Sequence, residues 1–575
     1  MPPRATPSAT AAQALILVLG VLTSGVAAAG EGDARPEVSV SGQDDLEFRY
    51  WRDDRTLPDF PEEDHLFDYW ELVNRINMKV DRGPLQLGVQ LDTVAMLGAY
   101  YYLNDVRVNE FDLHADGVTF PLPLAYANFD KLWLGYQGDT AQLLVGDGYI
   151  AFGRGLALSL VKNTNIDIDS SLRGAHAKVT LGSWDLTAVS GVTNAQQVWQ
   201  DNPNKQQIRP DHWHMVSGLR VDRYGLGPLN LGAHSVVYSF ADRADLDAQP
   251  WEGYARGVDA AITGASVEAF GVLGLDLFAE GDLFLYPGGE VLGVEDNAPG
   301  YAVYGSAAAY PGRVALLVEG KHYKDVERVN AVVSRDLYEV AVGPTLEYER
   351  VITEDSGAAV NSNDISGVRI RADVAAKPGV LTPSLTLGLF RDRELGGLHF
   401  NRAPETIIHP VAGVDWIADS VHVLANAGFR VDQRDALPGG VDLGADRMAH
   451  VDLSLGFPIG SAHGEIGGDL RYFMWGENLN QQTDFTLLTA NAAVHLGHGV
   501  SIVGYTDWTD DPLIDSVGNI NENLYAAGEL QLQPADGMTF KLFYGAYRAG
   551  IRCAGGQCRM LPGFDGARLS ATINF

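Results

Sequence analysis

Read in steps of two, most of the chain resolves into segments of about 8 to 13 residues with apolar side chains on one face and polar ones on the other, the period of a β-strand. Leu72, Ile76, Met78 and Val80 alternate with Val73, Arg75, Asn77 and Lys79. After Asp81-Arg82-Gly83-Pro84 the pattern resumes, with Leu85, Leu87, Val89 and Leu91 set against Gln86, Gly88, Gln90 and Asp92. A Gly-Pro pair between two such runs predicts a hairpin with a tight turn. In GLDLFAEGDLFLY the row Leu275, Leu277, Ala279, Leu283 and Leu285 opposes Asp276, Phe278, Glu280 and Asp282. Val368, Ile370, Ala372 and Val374 oppose Arg369, Arg371 and Asp373, and Ile466, Leu470, Tyr472 and Met474 oppose Glu465, Asp469, Arg471 and Phe473. Charges therefore sit in the middle of strands, which suits both a solvated sandwich and a barrel around water.

Spacing separates those two folds. Short turn signals recur near residues 83, 139, 183, 226, 272, 312, 378, 420, 460, 498 and 536. Between them lie longer connections rich in Asp, Asn and Gly, such as 51–68, 193–212, 324–365 and 509–521. This asymmetry predicts an all-β fold, a transmembrane antiparallel β-barrel of about 24 strands (range about 20–26) with long external loops and short periplasmic turns.

The two ends agree with export to an outer membrane. Arg4 precedes the apolar run Ala14 to Leu22, and Val26, Ala27, Ala28 and Ala29 offer a small-residue cleavage site, so 1–29 reads as a signal peptide and 30–575 as one barrel domain. The run falls short of the ~20 apolar residues of a spanning helix. In the last strand Ala567, Leu569, Ala571, Ile573 and Phe575 form an unbroken outward row. That row resembles the C-terminal assembly signature of bacterial outer-membrane barrels. The likeness implies recognition by the barrel assembly machinery and surroundings of outer-membrane lipid and lipopolysaccharide, with Leu569, Ala571, Ile573 and Phe575 as the signal.

Composition narrows the classes further. Hydrophobic residues make up 46% and glycines number 65, yet no apolar stretch beyond the N-terminus is long enough to span as a helix. A formal net charge of −33 repels nucleic acid and leaves either solvated acidic loops or a vestibule that favours cations. The two cysteines, Cys553 and Cys558, are separated by Ala-Gly-Gly-Gln and are expected to form a small disulfide in an exported chain. Neither G-x-S-x-G nor H-E-x-x-H occurs, so no enzyme is expected.

One stretch breaks the alternation: GDGYIAFGRGLALSLVKNTNIDIDSSLRG, residues 146–174. Gly146, Gly148, Gly153 and Gly155 fit neither a dinucleotide fingerprint nor a P-loop. The stretch reads as a strand end at Leu143 to Gly148, an irregular segment to Leu172, and a new strand from Arg173. On that strand Ala175, Ala177, Val179 and Leu181 should face lipid while His176, Lys178 and Thr180 face the lumen. FGRGLAL (152–158) and IDSSLRG (168–174) resemble the hallmark segment of a family of uncharacterised Gram-negative outer-membrane proteins, and PTLEYE (344–349) resembles a second, weaker motif of that family. More distantly, the architecture resembles the alginate-export barrels of the porin class. The likeness implies a barrel and an outer-membrane address but no substrate. An alginate pore would also want a positive constriction, at odds with an acidic chain.

A barrel of about 24 strands needs something to narrow it, and 149–172 is the segment expected to insert, with Arg154 and Arg173 at the edge of a constriction. Its rival reading is an external loop whose arginines pair with lipid phosphates. From the wall, His176, Lys178, Asp282, Arg369, Arg371, Asp469 and Arg471 are the expected lumen residues. No cofactor is expected, and no metal-ligand motif is found. Asp147, Asp167 and Asp169 are the acids that suit Ca²⁺, against their commoner use in turns and caps. His212 and His214, flanking Trp213, read as part of an interfacial aromatic cluster. The expected function is an outer-membrane channel or porin-like transporter that passes small cationic or neutral solutes by diffusion. The competing class is a surface-exposed structural or adhesion barrel with a plugged lumen.

Overall fold

The structure is a computed structural model that describes residues 38–52, 69–97, 100–103, 106–109, 125–163, 168–194, 214–239, 260–287, 299–326, 364–393, 404–435, 444–474, 484–510, 523–548, 550–554, 557–561 and 564–575. The signal-peptide region, PTLEYE, Asp167, His212 and Trp213 lie outside the described residues.

A single sheet of 24 antiparallel strands runs from Val38–Trp51 to Phe564–Asn574. Each barrel strand pairs with the next along the chain, and the last pairs with the first from Gln43↔Asn574 to Trp51↔Gly566. The sheet therefore has no edge. In lipid each unsatisfied backbone group costs several kcal/mol, which is why strands cross a bilayer only as a closed barrel.

Each of the short turns expected from the sequence falls between adjacent strands within a residue or two of its place, for example Arg82/Leu85, Leu181/Trp184 and Ile459/Ala462. Two of them show how the chain reverses. Leu273 and Gly274 have φ of 55° and 79°, and His498 and Gly499 have 50° and 72°. Positive φ at both central positions is the type I′ turn, whose twist matches that of the flanking strands.

The alternation then sorts into an inside and an outside. Leu132 and Leu134 pair beside Leu143 and Val145, and all four are exposed, as are Leu283, Leu285, Leu453 and Leu470. Exposed aromatic residues collect at the two strand ends. Phe48 stacks on Trp70 at 5.0 Å near the long connections, with Tyr472 and Trp508 at the same end; Tyr136, Trp184, Tyr224, Tyr310 and Trp416 lie near the short turns. An apolar band between two aromatic belts is the outer surface of a membrane barrel. The opposite rows hold Arg49, Glu71, Asp92, Glu280, Lys321, Arg369, His409 and Arg471, all buried.

One element differs from the sequence expectation. The segment after Gly148 is not irregular but forms two small hairpins, Ile150–Phe152 with Leu158–Leu160 and Lys162–Asn163 with Ile168–Asp169, before the wall resumes at Ser171–Leu181. The first is closed by a turn in which Gly155 donates to the Phe152 carbonyl at 2.9 Å, with positive φ at Gly153 and Gly155.

Candidate functional site

The segment leaves the wall at a defined break. Gly146 has a φ of 108°, and a Cβ there would collide with the Leu132 carbonyl, so only glycine fits. Beyond it the strand Ala141–Gly148 ends, and its two neighbours, Ala125–Gln137 and Ser171–Leu181, are joined by side chains. Asp147 accepts from the Leu132 N–H at 2.9 Å, from Asn194 Nδ2 at 2.9 Å and from Arg173 Nε at 3.0 Å. Arg173 Nη2 and Asn194 Nδ2 also donate to the Asp130 carbonyl, at 2.7 and 2.8 Å. Arg173 stands on the row of Ala175, one residue out of phase with His176, and its guanidinium braces the wall where the ladder is interrupted.

The first hairpin lies against the inner face. Phe152, Leu156, Ala157, Leu158 and Leu160 are all 3% exposed or less, in one cluster with Val189, Val216, Val236, Ile262, Phe284 and further wall residues round to Ile407. Burying such side chains is worth about 1.5 to 3 kcal/mol each, as an upper estimate. Phe152 occupies the space that Gly218 leaves, its ring 2.8 Å from where a Cβ would sit, and its centroid lies 6.0 Å from the His234 ring. The Tyr238 hydroxyl donates to the Ala157 carbonyl. At the turn, the Arg154 N–H donates to Glu280 Oε2 at 2.8 Å, and a Cβ at Gly153 would run into the same carboxylate. The Arg154 guanidinium sits 4.6 Å above the Phe278 ring.

The second hairpin is held by charge. Asp169 pairs with Lys131 Nζ at 2.8 Å and Lys162 Nζ at 3.4 Å and accepts from the Tyr149 hydroxyl at 2.5 Å. Burial opposes ionisation of Asp169, but the two lysines outweigh it and hold the carboxyl below its usual range. The calcium reading of Asp147 and Asp169 is therefore corrected: each is already neutralised by cationic side chains of the chain itself.

The other wall residues expected in the lumen are paired locally rather than gathered. Lys178 Nζ binds Asp185 at 2.7 Å near the short turns, two residues from half-buried His176. Arg369 Nε faces Glu319 at 3.4 Å, Arg371 binds Asp373 at 2.9 Å, and Arg471 Nε binds Asp469 at 3.1 Å. Arg369 and Arg471 stand on strands five steps apart, about 24 Å along the wall at ~4.8 Å per step. Besides the Arg471–Asp469 pair, Arg154 and Asp282 share a patch, because Asp282 lies beside Glu280 on the strand under the turn. Asp282 accepts from His234 Nε2 at 2.6 Å. His234 and Glu280 were not singled out from the sequence as site residues. The available signal was that Val216, Val236, Ile262 and Phe284 place apolar side chains on the inward row at the same end of successive strands.

At the chain's end Leu569 and Phe575 are exposed on the outward row, and Phe575 exchanges backbone bonds with Gly42 at 2.8 and 3.0 Å. The hairpin Gly550–Ala554/Gln557–Leu561 stands outside the barrel sheet, and its register sets Cys553 directly across from Cys558.

No protein-family model matches the sequence, and no curated protein matches it. Among solved structures it is similar to the P pilus usher (PapC) translocation pore, at 9% identity over 93% of this chain and 99% of that one, with a TM-score of 0.42. It is also similar to the outer membrane protein opdK from Pseudomonas aeruginosa (11% identity, 72% and 98% covered, TM-score 0.35) and to Pseudomonas aeruginosa OccK9 (14%, 73% and 98%, 0.37). The class is defined by the chain's own strand pairing and apolar outer surface: it is a transmembrane antiparallel β-barrel.

Proposed function

We propose that the protein is an outer-membrane channel of a Gram-negative bacterium in which residues 149–170 narrow a wide lumen. Small solutes pass by diffusion through the remaining path. A circular barrel of this strand count is about 48 Å across between backbones, taking strands ~4.8 Å apart and tilted about 40°. Wall side chains alone do not discriminate small solutes at that width. The observation that carries the reading is the seat of the segment, with five buried residues and the Arg154 N–H on Glu280 holding it to one arc of the inner wall.

The net charge of −33 supports a preference for cations or neutral solutes, because fixed carboxylates stabilise cations along a narrow aqueous path. Recordings from the purified full-length protein in planar bilayers test both parts. Discrete single-channel steps, with a reversal potential in a salt gradient that reports cation preference, are the expected result. Absence of steps would favour a plugged structural barrel, and clear anion preference would overturn the charge argument.

A further inference from the structure

We infer that the inner wall beneath the segment's turn binds a divalent transition-metal ion of the zinc class through His234, Glu280 and Asp282. The three residues come from two strands, Leu229–Ser239 and Leu275–Leu285. His234 and Asp282 stand on strands two apart, both in register with Gly264 on the strand between them. A side chain at Gly264 would occupy the position of the Asp282 carboxylate, so the glycine lets the imidazole and the carboxylate meet across it. Glu280 lies two residues from Asp282 on the same face of the same strand, and one donor atom from each of the three residues falls within 4.8 Å of the others.

Two features point to a cation rather than to a structural hydrogen-bond cluster. First, Glu280 and Asp282 are 2% and 4% exposed, yet Glu280 Oε1 and Asp282 Oδ2 have no hydrogen-bond partner. Buried carboxylate oxygens without donors are costly unless a positive charge faces them. Second, the cations nearby are committed elsewhere. Arg220 is held by Asp222 at 2.7 and 2.9 Å, donates also to Ser266 Oγ at 3.3 Å, and of the three ligands hydrogen-bonds His234 alone, at Nδ1, 3.2 Å away, while the Arg154 guanidinium lies on Phe278 and offers Glu280 only its backbone N–H.

One imidazole nitrogen with two carboxylates is a donor set for a borderline divalent ion. With Nδ1 accepting from Arg220, the imidazole proton sits on Nε2 and points to Asp282. Metal entry moves that proton to Nδ1, which can then no longer accept from Arg220 Nη1; that bond is given up, and Arg220 turns aside on its two bonds to Asp222. Bonds of about 2.0 to 2.1 Å in tetrahedral geometry set neighbouring donors about 3.3 Å apart, so the 2.6 Å gap between Nε2 and Oδ1 has to open by only a fraction of an ångström. A metal here would lie directly under Gly153 and Arg154, tying the segment to the wall through Glu280.

The test uses the full-length folded barrel in detergent, stripped with a chelator and titrated with Zn²⁺ at neutral pH in excess Mg²⁺, which occupies weak acidic loop sites. Wild type should take up one more tightly bound equivalent than Glu280→Gln or His234→Ala, with affinity at that site at least about tenfold weaker in either variant. X-ray absorption at the zinc edge should report a mixed nitrogen and oxygen shell in wild type. Equal stoichiometry and affinity in all three proteins would overturn the inference. Heat-modifiable mobility in SDS checks folding, and if His234→Ala fails it the isosteric Glu280→Gln decides alone. None of these readouts depends on conductance, so the metal site and the channel reading fail separately.

Discussion

Two arcs of the same inner wall differ in what they face. From Val189 round to Ile407 the inward rows carry Val216, Val236, Ile262, Phe284 and Ala302, all buried and continuous with the segment. Across the barrel the apolar clusters are smaller, Met448, Phe473, Phe485 and Leu487 in one and Trp51, Val73, Val94, Phe543 and Phe564 in another, and ion pairs stand beside them: Arg430 with Asp432 at 2.5 Å, Arg471 with Asp469 at 3.1 Å, Arg568 with Glu47 at 3.5 Å and Arg75 with Asp92 at 3.6 Å. Apolar side chains facing a water-filled lumen would forfeit their burial energy. The largest such cluster is the one that the segment covers, with Phe152, Leu156, Ala157, Leu158 and Leu160 packed into it.

Removing the largest side chain that the segment lays on the apolar arc should weaken the difference most. Phe152→Ala, at 1% exposure, is expected to cost about 3 to 5 kcal/mol of segment docking. The barrel should stay folded while tryptic cleavage after Lys162 quickens by about two to three and a half orders of magnitude, since cleavage tracks the population of the open form. Unchanged cleavage would mean that the segment is held by other means.

Arg173→Ala sharpens the comparison at the point where the segment departs. It strips a charged donor from buried Asp147 and from the Asp130 carbonyl, and hydrogen bonds to charged groups are worth about 1.5 to 3 kcal/mol. The urea midpoint of the whole barrel should fall, because the brace belongs to the wall. A fall in segment protection with no change in the barrel midpoint would assign Arg173 to the segment instead. Tyr238→Phe should do less, about 1 to 2 kcal/mol, by leaving the buried Ala157 carbonyl without its donor. Hydrogen exchange should quicken in 150–160 and not in the strand Ile365–Val374. Smallest of all, Cys553→Ser should leave the barrel midpoint unmoved, since that hairpin is outside the barrel sheet. Free thiols titrating in the denatured exported wild type would show that Cys553 and Cys558 are not bonded.

The wall was legible because its code is local. A period of two assigns each side chain to lipid or lumen from its immediate neighbours, and turn residues such as Gly83-Pro84 and His498-Gly499 mark the ends, so strand number and turn places follow from the alternation. The segment's seat was not legible in the same way. Its contacts join Arg154 to Glu280 and Ala157 to Tyr238 across long stretches of chain, and which arc it meets depends on barrel closure rather than on any short pattern. Arg173 shows the limit within a strand: the sequence reading set it at the edge of a constriction, whereas the structure stands it on the row of Ala175, and only the break after Gly146 explains what its guanidinium binds. His234, Gly264 and Asp282 come together on three strands, and no spacing along the sequence announces them.

The central claim is that residues 149–170 narrow the path through the barrel. It is tested most directly by replacing them with a short glycine linker between Gly148 and Ser171 and recording single channels beside wild type in the same bilayer. A several-fold rise in conductance with a loss of ion preference is the result expected of a removed constriction. Unchanged conductance and preference in a properly folded deletion variant would contradict it and place the constriction elsewhere in the barrel.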